Sequence, residues 1–190
     1  MINEIFKTPL YQTELKLDNK AMAIYCLQHS KKDKGRTISN SGGYQSNDIY
    51  DDIPVFRNLF LNITEHSNKM AQLINLKGPL KIDNAWININ GYKDSNISHI
   101  HNYCMLSGVY YVKTPKNCGN LKLVNPASPT MEYDWNNNNV QHKFNNYTSA
   151  KWIMPAYEGV LYIFPSWLEH YVTPNMSKEK RISISFNIIL

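Results

Sequence analysis

Two histidines two positions apart, in Ser98-His99-Ile100-His101, stand just ahead of the apolar run Leu106-Ser107-Gly108-Val109-Tyr110-Tyr111-Val112. On an extended chain, side chains at i and i+2 project from the same face. Two imidazoles on one face, beside a strand patterned for burial, make half of a metal site and require a third ligand. The candidate lies downstream in Phe164-Pro165-Ser166-Trp167-Leu168-Glu169-His170. Eleven positions later (181 − 170) an arginine opens the run Arg181-Ile182-Ser183-Ile184-Ser185-Phe186-Asn187. The spacing predicts strands that converge on one metal, with chemistry of the non-haem iron oxygenase type.

The rest of the chain divides at Gly78-Pro79. Before it, Leu17–His29 has mixed helical spacing with Asp18 or Asn19 as a cap, and Pro54–Leu76 repeats Val55, Leu59, Phe60, Ile63, Met70, Leu73 and Ile74 at three- and four-residue steps. Ile5–Tyr11 reads as an edge strand or lead-in, and Ser30–Asp52 as a loop. After Leu80 the pattern becomes that of strands. Ala85-Trp86-Ile87-Asn88-Ile89-Asn90 alternates, with Trp86, Asn88 and Asn90 on one face. Further strands are expected at His99–Tyr103, Leu106–Val112, Leu121–Val124, Gly159–Phe164, His170–Thr173 and Arg181–Ile189, with a polar, Asn-rich loop at Met131–Tyr147 that could cover one mouth of the fold. The expected class is mainly β with N-terminal helices, a jelly-roll or cupin-like barrel with the helices packed on one sheet. We expect a single domain over 1–190, with 1–79 as helical support and 80–190 as the jelly-roll core, because neither a linker nor an internal repeat interrupts it.

Composition narrows the function classes. With 43% hydrophobic and 12% aromatic residues, 190 residues can bury a core, so global disorder is not expected. The net charge of +5 is scattered in short mixed runs, such as Lys178-Glu179-Lys180-Arg181, and forms no nucleic-acid-binding tract. Cys26, Cys104 and Cys118 are odd in number and lack CxxC spacing, which argues against a disulfide framework or structural zinc. Met1–Lys7 has no basic region leading into an apolar run, and no stretch approaches 18 consecutive apolar residues, so the expectation is a soluble, cytoplasmic protein without a membrane span. A homodimer is compatible with the Tyr- and Trp-rich strands. Gly-x-Ser-x-Gly and phosphate-binding Gly-rich loops are absent.

Ferrous iron activates oxygen when three ligands hold it on one face and leave the opposite positions open. His99, His101 and His170 are the candidates; His29, His66 and His142 read as ordinary core or surface histidines. Arg181 opening an apolar strand, with Ser183 on the same face, suits an anion, since a guanidinium matches a carboxylate bidentately. A rim arginine paired with Glu169 or Glu179 is the plain alternative.

At these residues the chain resembles the Fe(II)/2-oxoglutarate-dependent oxygenases of the double-stranded β-helix fold, and in particular a small bacterial and phage group with prolyl-hydroxylase-like features. The matching pieces are Trp86–Asn90, His99–His101, Leu106–Val112, Phe164–His170 and Arg181–Asn187, with weaker echoes at Ile5–Pro9 and Gly42–Ser46. The resemblance implies Fe(II), 2-oxoglutarate and O2, a hydroxylated C–H bond, and release of succinate and CO2. It assigns His99 and His170 as the two histidine ligands. Arg181, assisted by Ser183, would pair with the distal carboxylate of 2-oxoglutarate, Tyr111 would touch the same carboxylate, and Asn88 joins the co-substrate-binding set. Tyr110 is the alternative to Tyr111. One departure stands out: the commoner motif is His-x-Asp, and this chain has His101. His101 then either completes the ligand set or sits beside it; Asp94, five residues before His99, is poorly spaced to substitute. The rival expectations are a three-histidine cupin-type dioxygenase that does not use 2-oxoglutarate, and a non-catalytic jelly-roll binding or structural protein. The substrate is expected to be a small molecule or a peptidyl residue, prolyl among them, by analogy of fold.

Overall fold

In a computed structural model, residues 1–135 and 145–190 are described, and they are mainly β. The chain opens with strand β1 (Tyr11–Glu14) and helix α1 (Asn19–His29), whose cap is Asp18 accepting from the Ala21 amide at 2.9 Å. Two two-residue strands follow, β2 (Asn40–Ser41) and β3 (Tyr44–Gln45). A 3-10 turn at Pro54–Phe56 leads into α2 (Arg57–Leu73), and the proline suits that first turn because it lacks only an amide no helix would use. Then come β4 (Lys81–Asn90), β5 (Ser95–His99), β6 (Leu106–Lys113), β7 (Leu121–Val124), a short helix α3 (Ser128–Asp134), β8 (Lys151–Met154), β9 (Val160–Pro165), β10 (His170–Val172) and β11 (Arg181–Ile189).

The strands form two antiparallel sheets, one of six in the order β1-β9-β6-β11-β4-β3 and one of five in the order β2-β5-β10-β7-β8. The alternation of β4 now has a physical meaning. Ile87 and Ile89 join Met22 and Cys26 of α1 and Leu59, Phe60 and Ile63 of α2 in one apolar cluster. Trp86 and Asn88, on the other face, look into the space between the sheets. That space holds a second cluster, including Val109, Tyr111, Leu121, Leu123, Phe164 and Leu168. Each such buried aliphatic or aromatic side chain contributes about 1.5–3 kcal/mol of transfer free energy.

Several boundaries differ from the sequence pattern. The edge strand begins at Tyr11, not Ile5, and Ile5–Pro9 lies outside any strand. The strand expected at His99–Tyr103 instead ends at His99; His101 follows it, tied by its amide to the Ser166 carbonyl at 2.9 Å, and Tyr103 turns the chain at φ 62°. Part of the expected Met131–Tyr147 loop is α3, while 136–144 and therefore His142 lie outside the described residues. Strand β8 carries no alternation, and pairing with β7 is what makes it a strand. Among the described residues, no helix is long and apolar enough to cross a membrane.

The segment between α1 and β3 is pinned by Asp33, whose carboxylate accepts from Tyr44 Oη (2.7 Å) and from the Asn47 amide (3.0 Å) and Nδ2 (2.7 Å). Burial pushes its pKa up, but these donors outweigh it and hold the carboxyl well below the usual range. A depressed folded pKa contributes stability above the unfolded value, about 3.9, that is lost as pH falls below it. Acid unfolding of the wild type should therefore show a contribution absent from Asp33→Asn below about pH 4, read as converging melting temperatures. Core packing gives a second prediction. At Gly108, an added Cβ would lie 2.3 Å from Phe186 Cζ and 2.4 Å from the Tyr162 carbonyl oxygen. Gly108→Ala should cost about 3 kcal/mol in denaturant unfolding.

Candidate metal centre

The register of the five-stranded sheet places His99 directly opposite His170. Opposed residues of an antiparallel pair share a face, so both imidazoles enter the space between the sheets. His101 reaches the same point from beyond the strand end. Ring centroids are 4.4 Å apart for His99–His170, 5.0 Å for His99–His101 and 5.1 Å for His101–His170. One nitrogen from each ring lies within 4.8 Å of the others. His99 Nδ1 is 2.7 Å from the Ile97 carbonyl oxygen, and His170 Nδ1 is 2.8 Å from that of Leu168. Each Nδ1–H thus donates to backbone and leaves Nε2 with its lone pair free, the state a metal needs.

Burial keeps the rings neutral. Desolvation, with the neighbouring imidazoles adding to it, pulls His170 down to about 3 and His101 down to about 4; burial also lowers His99. His101 hydrogen-bonds the side chain of Asn187. Asn187 is itself fixed, accepting from Ser107 Oγ at 2.9 Å and donating to Asn84 Oδ1 at 2.9 Å. On the other side the indole of Trp86 stacks on His101, with centroids 5.8 Å apart and planes 19° from parallel. The Arg36 guanidinium lies 5.8 Å over that indole and pairs with Asp48 at 2.5 Å.

Deeper in the same pocket lies Arg181, only 1% exposed. Its Nη1 donates to the carbonyls of Cys118 and Thr173, while its Nη2 has no partner among the described residues. Among the described residues it makes no ion pair. Gly119 makes the wrap possible: at φ +83°, a Cβ there would lie 2.9 Å from Arg181 Nη1 and 2.2 Å from the Thr173 carbonyl oxygen. Tyr111 is 1% exposed, its hydroxyl has no partner among the described residues, and burial pushes its pKa up to about 12, so it stands as a protonated donor. Ser183 and Asn88 line the same pocket, with Asn88 Nδ2 donating to Ser185 Oγ at 3.0 Å and its Oδ1 unpartnered. Turning that amide over would let Oδ1 accept the Ser185 hydroxyl and present Nδ2 to the pocket.

The pocket therefore brings together His99, His101, His170, Arg181, Ser183, Tyr111 and Asn88. Tyr110 points the other way and donates to Asn19 Oδ1 at 2.6 Å. Asp94 is engaged with the Gly91 amide at 2.6 Å. Glu169 accepts from Ser98, and Glu179 pairs with Lys113, so neither meets Arg181. Sequence reasoning missed the supports. Asn187 was legible as the i+6 partner of Arg181 on an alternating strand. Arg36 and Ser39, which also lines the pocket, sit in a loop that gave no periodic signal.

A divalent ion among three neutral imidazoles fits the donor set. A carboxylate fits the deep end, because an unpaired buried guanidinium and an unpaired hydroxyl both lack the acceptor they need. Comparison with known proteins points the same way. A family profile described as "Putative 2OG-Fe(II) oxygenase" matches residues 84–187. A prolyl-4-hydroxylase from Pseudomonas putida superposes with a TM-score of 0.66 at 14% identity, covering 95% of this chain and 92% of that one. A viral collagen prolyl hydroxylase of Paramecium bursaria Chlorella virus-1, solved as its 2OG complex, gives 0.59 at 11% identity over 94% of each chain. HygX of Streptomyces hygroscopicus, with nickel and 2-oxoglutarate bound, gives 0.60 at 11% identity over 95% and 82%. These likenesses establish a shared fold. No curated protein matches the chain.

Calorimetric titration with Mn(II) in the absence of oxygen should show one site in the wild type. His99→Ala and His170→Ala should each lower its affinity at least about a hundredfold, while far-ultraviolet spectra stay unchanged. Unaltered Mn(II) affinity in both variants would mean the imidazole cluster holds no metal.

Proposed function

The chain belongs to the 2OG-Fe(II) oxygenase family, and from that premise we propose that His99, His101 and His170 hold the iron while Arg181, Ser183 and Tyr111 hold the distal carboxylate of 2-oxoglutarate. Enzymes of this family use Fe(II), 2-oxoglutarate and O2. The observation that carries the residue assignments is the pair of buried, unpartnered donors, Arg181 Nη2 and Tyr111 Oη, in the same pocket as three neutral imidazoles. Asn88, through its amide, completes the polar wall on the β4 side. The architecture on this reading is a double-stranded β-helix over 80–190, with 1–79 as the helical support, in one domain over 1–190.

Bound together, iron, 2-oxoglutarate and oxygen supply the oxidation of a C–H bond coupled to decarboxylation to succinate and CO2. The protein's own part is positional. Arg181 and Tyr111 anchor the far end of the co-substrate by charge-assisted hydrogen bonds, which directs its reactive end toward the imidazoles. The backbone acceptors at Ile97 and Leu168 fix two rings, and Asn187 with Trp86 fixes the third. Three neutral ligands leave the ion's double charge uncompensated by protein, so a dianionic co-substrate gains more here than beside a carboxylate ligand. The unpaired Arg181 favours this reading over a three-histidine dioxygenase that dispenses with 2-oxoglutarate. The substrate on this proposal is a small molecule or a peptidyl residue, with proline among the peptidyl candidates.

Anaerobic addition of Fe(II) and then 2-oxoglutarate to apo-protein should produce the weak visible charge-transfer band of the chelate only after both additions. His170→Ala should abolish the band. Arg181→Met should shift its half-saturation to about tenfold to a hundredfold more 2-oxoglutarate, the loss of one charged hydrogen-bonded anchor. A band that forms normally in Arg181→Met would overturn the assignment of the carboxylate.

A further inference from the structure

Strand register extends the site in a direction the imidazoles alone do not show. His170 is opposed by His99 on one side and by Leu123 on the other, and Leu123 is opposed in turn by Trp152. Opposed residues share a face, so His99, His170, Leu123 and Trp152 form one row across the inner face of the five-stranded sheet. At a strand spacing of about 4.8 Å, Leu123 stands about 5 Å and Trp152 about 10 Å along that row from His170.

At the Trp152 end of the row lies a cavity of about 610 Å³, within the range of small-molecule and side-chain binding sites. Its wall includes Leu123 and Leu168, and the carbonyl of Leu168 is the one that holds His170 Nδ1. The cavity therefore abuts both the residue beside His170 and the residue that orients it. Leu10, Tyr147 and Trp152 add apolar surface, and Ile5 and Phe6 of the N-terminal segment stand at its open rim. Trp152 is 46% exposed and Phe6 is 96% exposed, so large apolar surface faces this opening uncovered.

Unlike the deep pocket, it holds charges that balance each other. Glu4 and Lys7, the charged lining residues, pair with each other, and Tyr147 donates to Glu4 Oε1 at 2.6 Å. The described lining offers no unpaired charge to a ligand. A phosphate or a dicarboxylate would lose its hydration here and gain no counter-ion. An uncharged apolar group loses nothing and gains burial.

Resting on the iron and 2-oxoglutarate reading above, we propose that this cavity is the substrate site. It takes an uncharged apolar ring or chain that lies on Trp152 and reaches the imidazoles past Leu123. Trp152 is then a specificity-determining residue, and anionic metabolites and nucleic acids are not substrates. The same chemistry can come from a free small molecule or from a side chain of a polypeptide.

The test is fluorescence titration with the neutral probe N-phenyl-1-naphthylamine and its anionic relative 8-anilino-1-naphthalenesulfonate, on the full chain with and without Fe(II) and 2-oxoglutarate. The neutral probe should bind the wild type, and Trp152→Ala should weaken it about tenfold. Trp152→Phe should restore most of that binding, which a merely destabilised edge strand would not allow. The anaerobic chelate band should be the same in all three proteins. Displacement by an acetylated and amidated proline peptide supports the proposal with a polypeptide source, and displacement by a free neutral cyclic amide supports it with a small-molecule source. Displacement by neither, equal binding of the sulfonated probe, or unchanged affinity in Trp152→Ala would overturn it. Loss of the chelate band with the Trp152 dependence intact would instead sink the iron and 2-oxoglutarate reading.

Discussion

A guanidinium sealed from water, with no carboxylate in ion-pair contact among the described residues, is the constraint on which the rest of the structure turns. Isolating a charge in a protein interior costs several kcal/mol unless its donors are satisfied. Arg181 meets part of that cost through the carbonyls of Cys118 and Thr173, which bring the β6–β7 connection and the end of β10 around it. Gly119 is needed at the closest approach. The remaining donor, Nη2, faces the pocket with nothing to bond. On the proposed reading, that donor is kept for an anion that arrives from outside.

The strand that begins with Arg181 is also the best-supported element of the sheet. β11 is paired along its length with β4 on one side and β6 on the other. Strict alternation then divides its residues between two tasks. Ile182, Ile184, Phe186 and Ile188 enter the cluster shared with the helices, and Arg181, Ser183 and Ser185 line the pocket. The helices thus contribute indirectly: by covering one face of the central strands, they free the other to be polar. A one-residue slip would exchange the two sets and bury the serines under α1 and α2.

Much of this was legible beforehand because it follows from period two. The alternation of Trp86–Asn90 and of Arg181–Asn187 identified the pocket-facing set, and the bounds Arg181–Ile189 and Leu121–Val124 stand in the structure as the pattern drew them. What failed to show was whatever depends on pairing between distant strands. β8 has no alternation and exists through its ladder with β7, and His101 sits past the end of β5 where one hydrogen bond to the Ser166 carbonyl holds its backbone. The same limit hid the opposition of Leu123 to Trp152, since no local pattern says which residues of two separated strands will face each other. The Arg36–Trp86–His101 stack joins three segments and was equally invisible.

On the proposed reading, the ligand positions at this end of the fold change character in steps. They start at a buried positive charge, pass three imidazoles kept neutral by burial, and end, beyond Leu123, in an apolar cavity whose two lining charges cancel each other. Such an order sorts ligands by charge without a gate. An anion is drawn past the imidazoles to Arg181 and gains nothing by remaining in the outer cavity, where its desolvation is unreturned. An apolar group has the opposite preference, since the deep end would strand it against unpaired donors. On the proposed reading, co-substrate and substrate therefore do not compete for one another's position, and the metal falls where the two preferences meet.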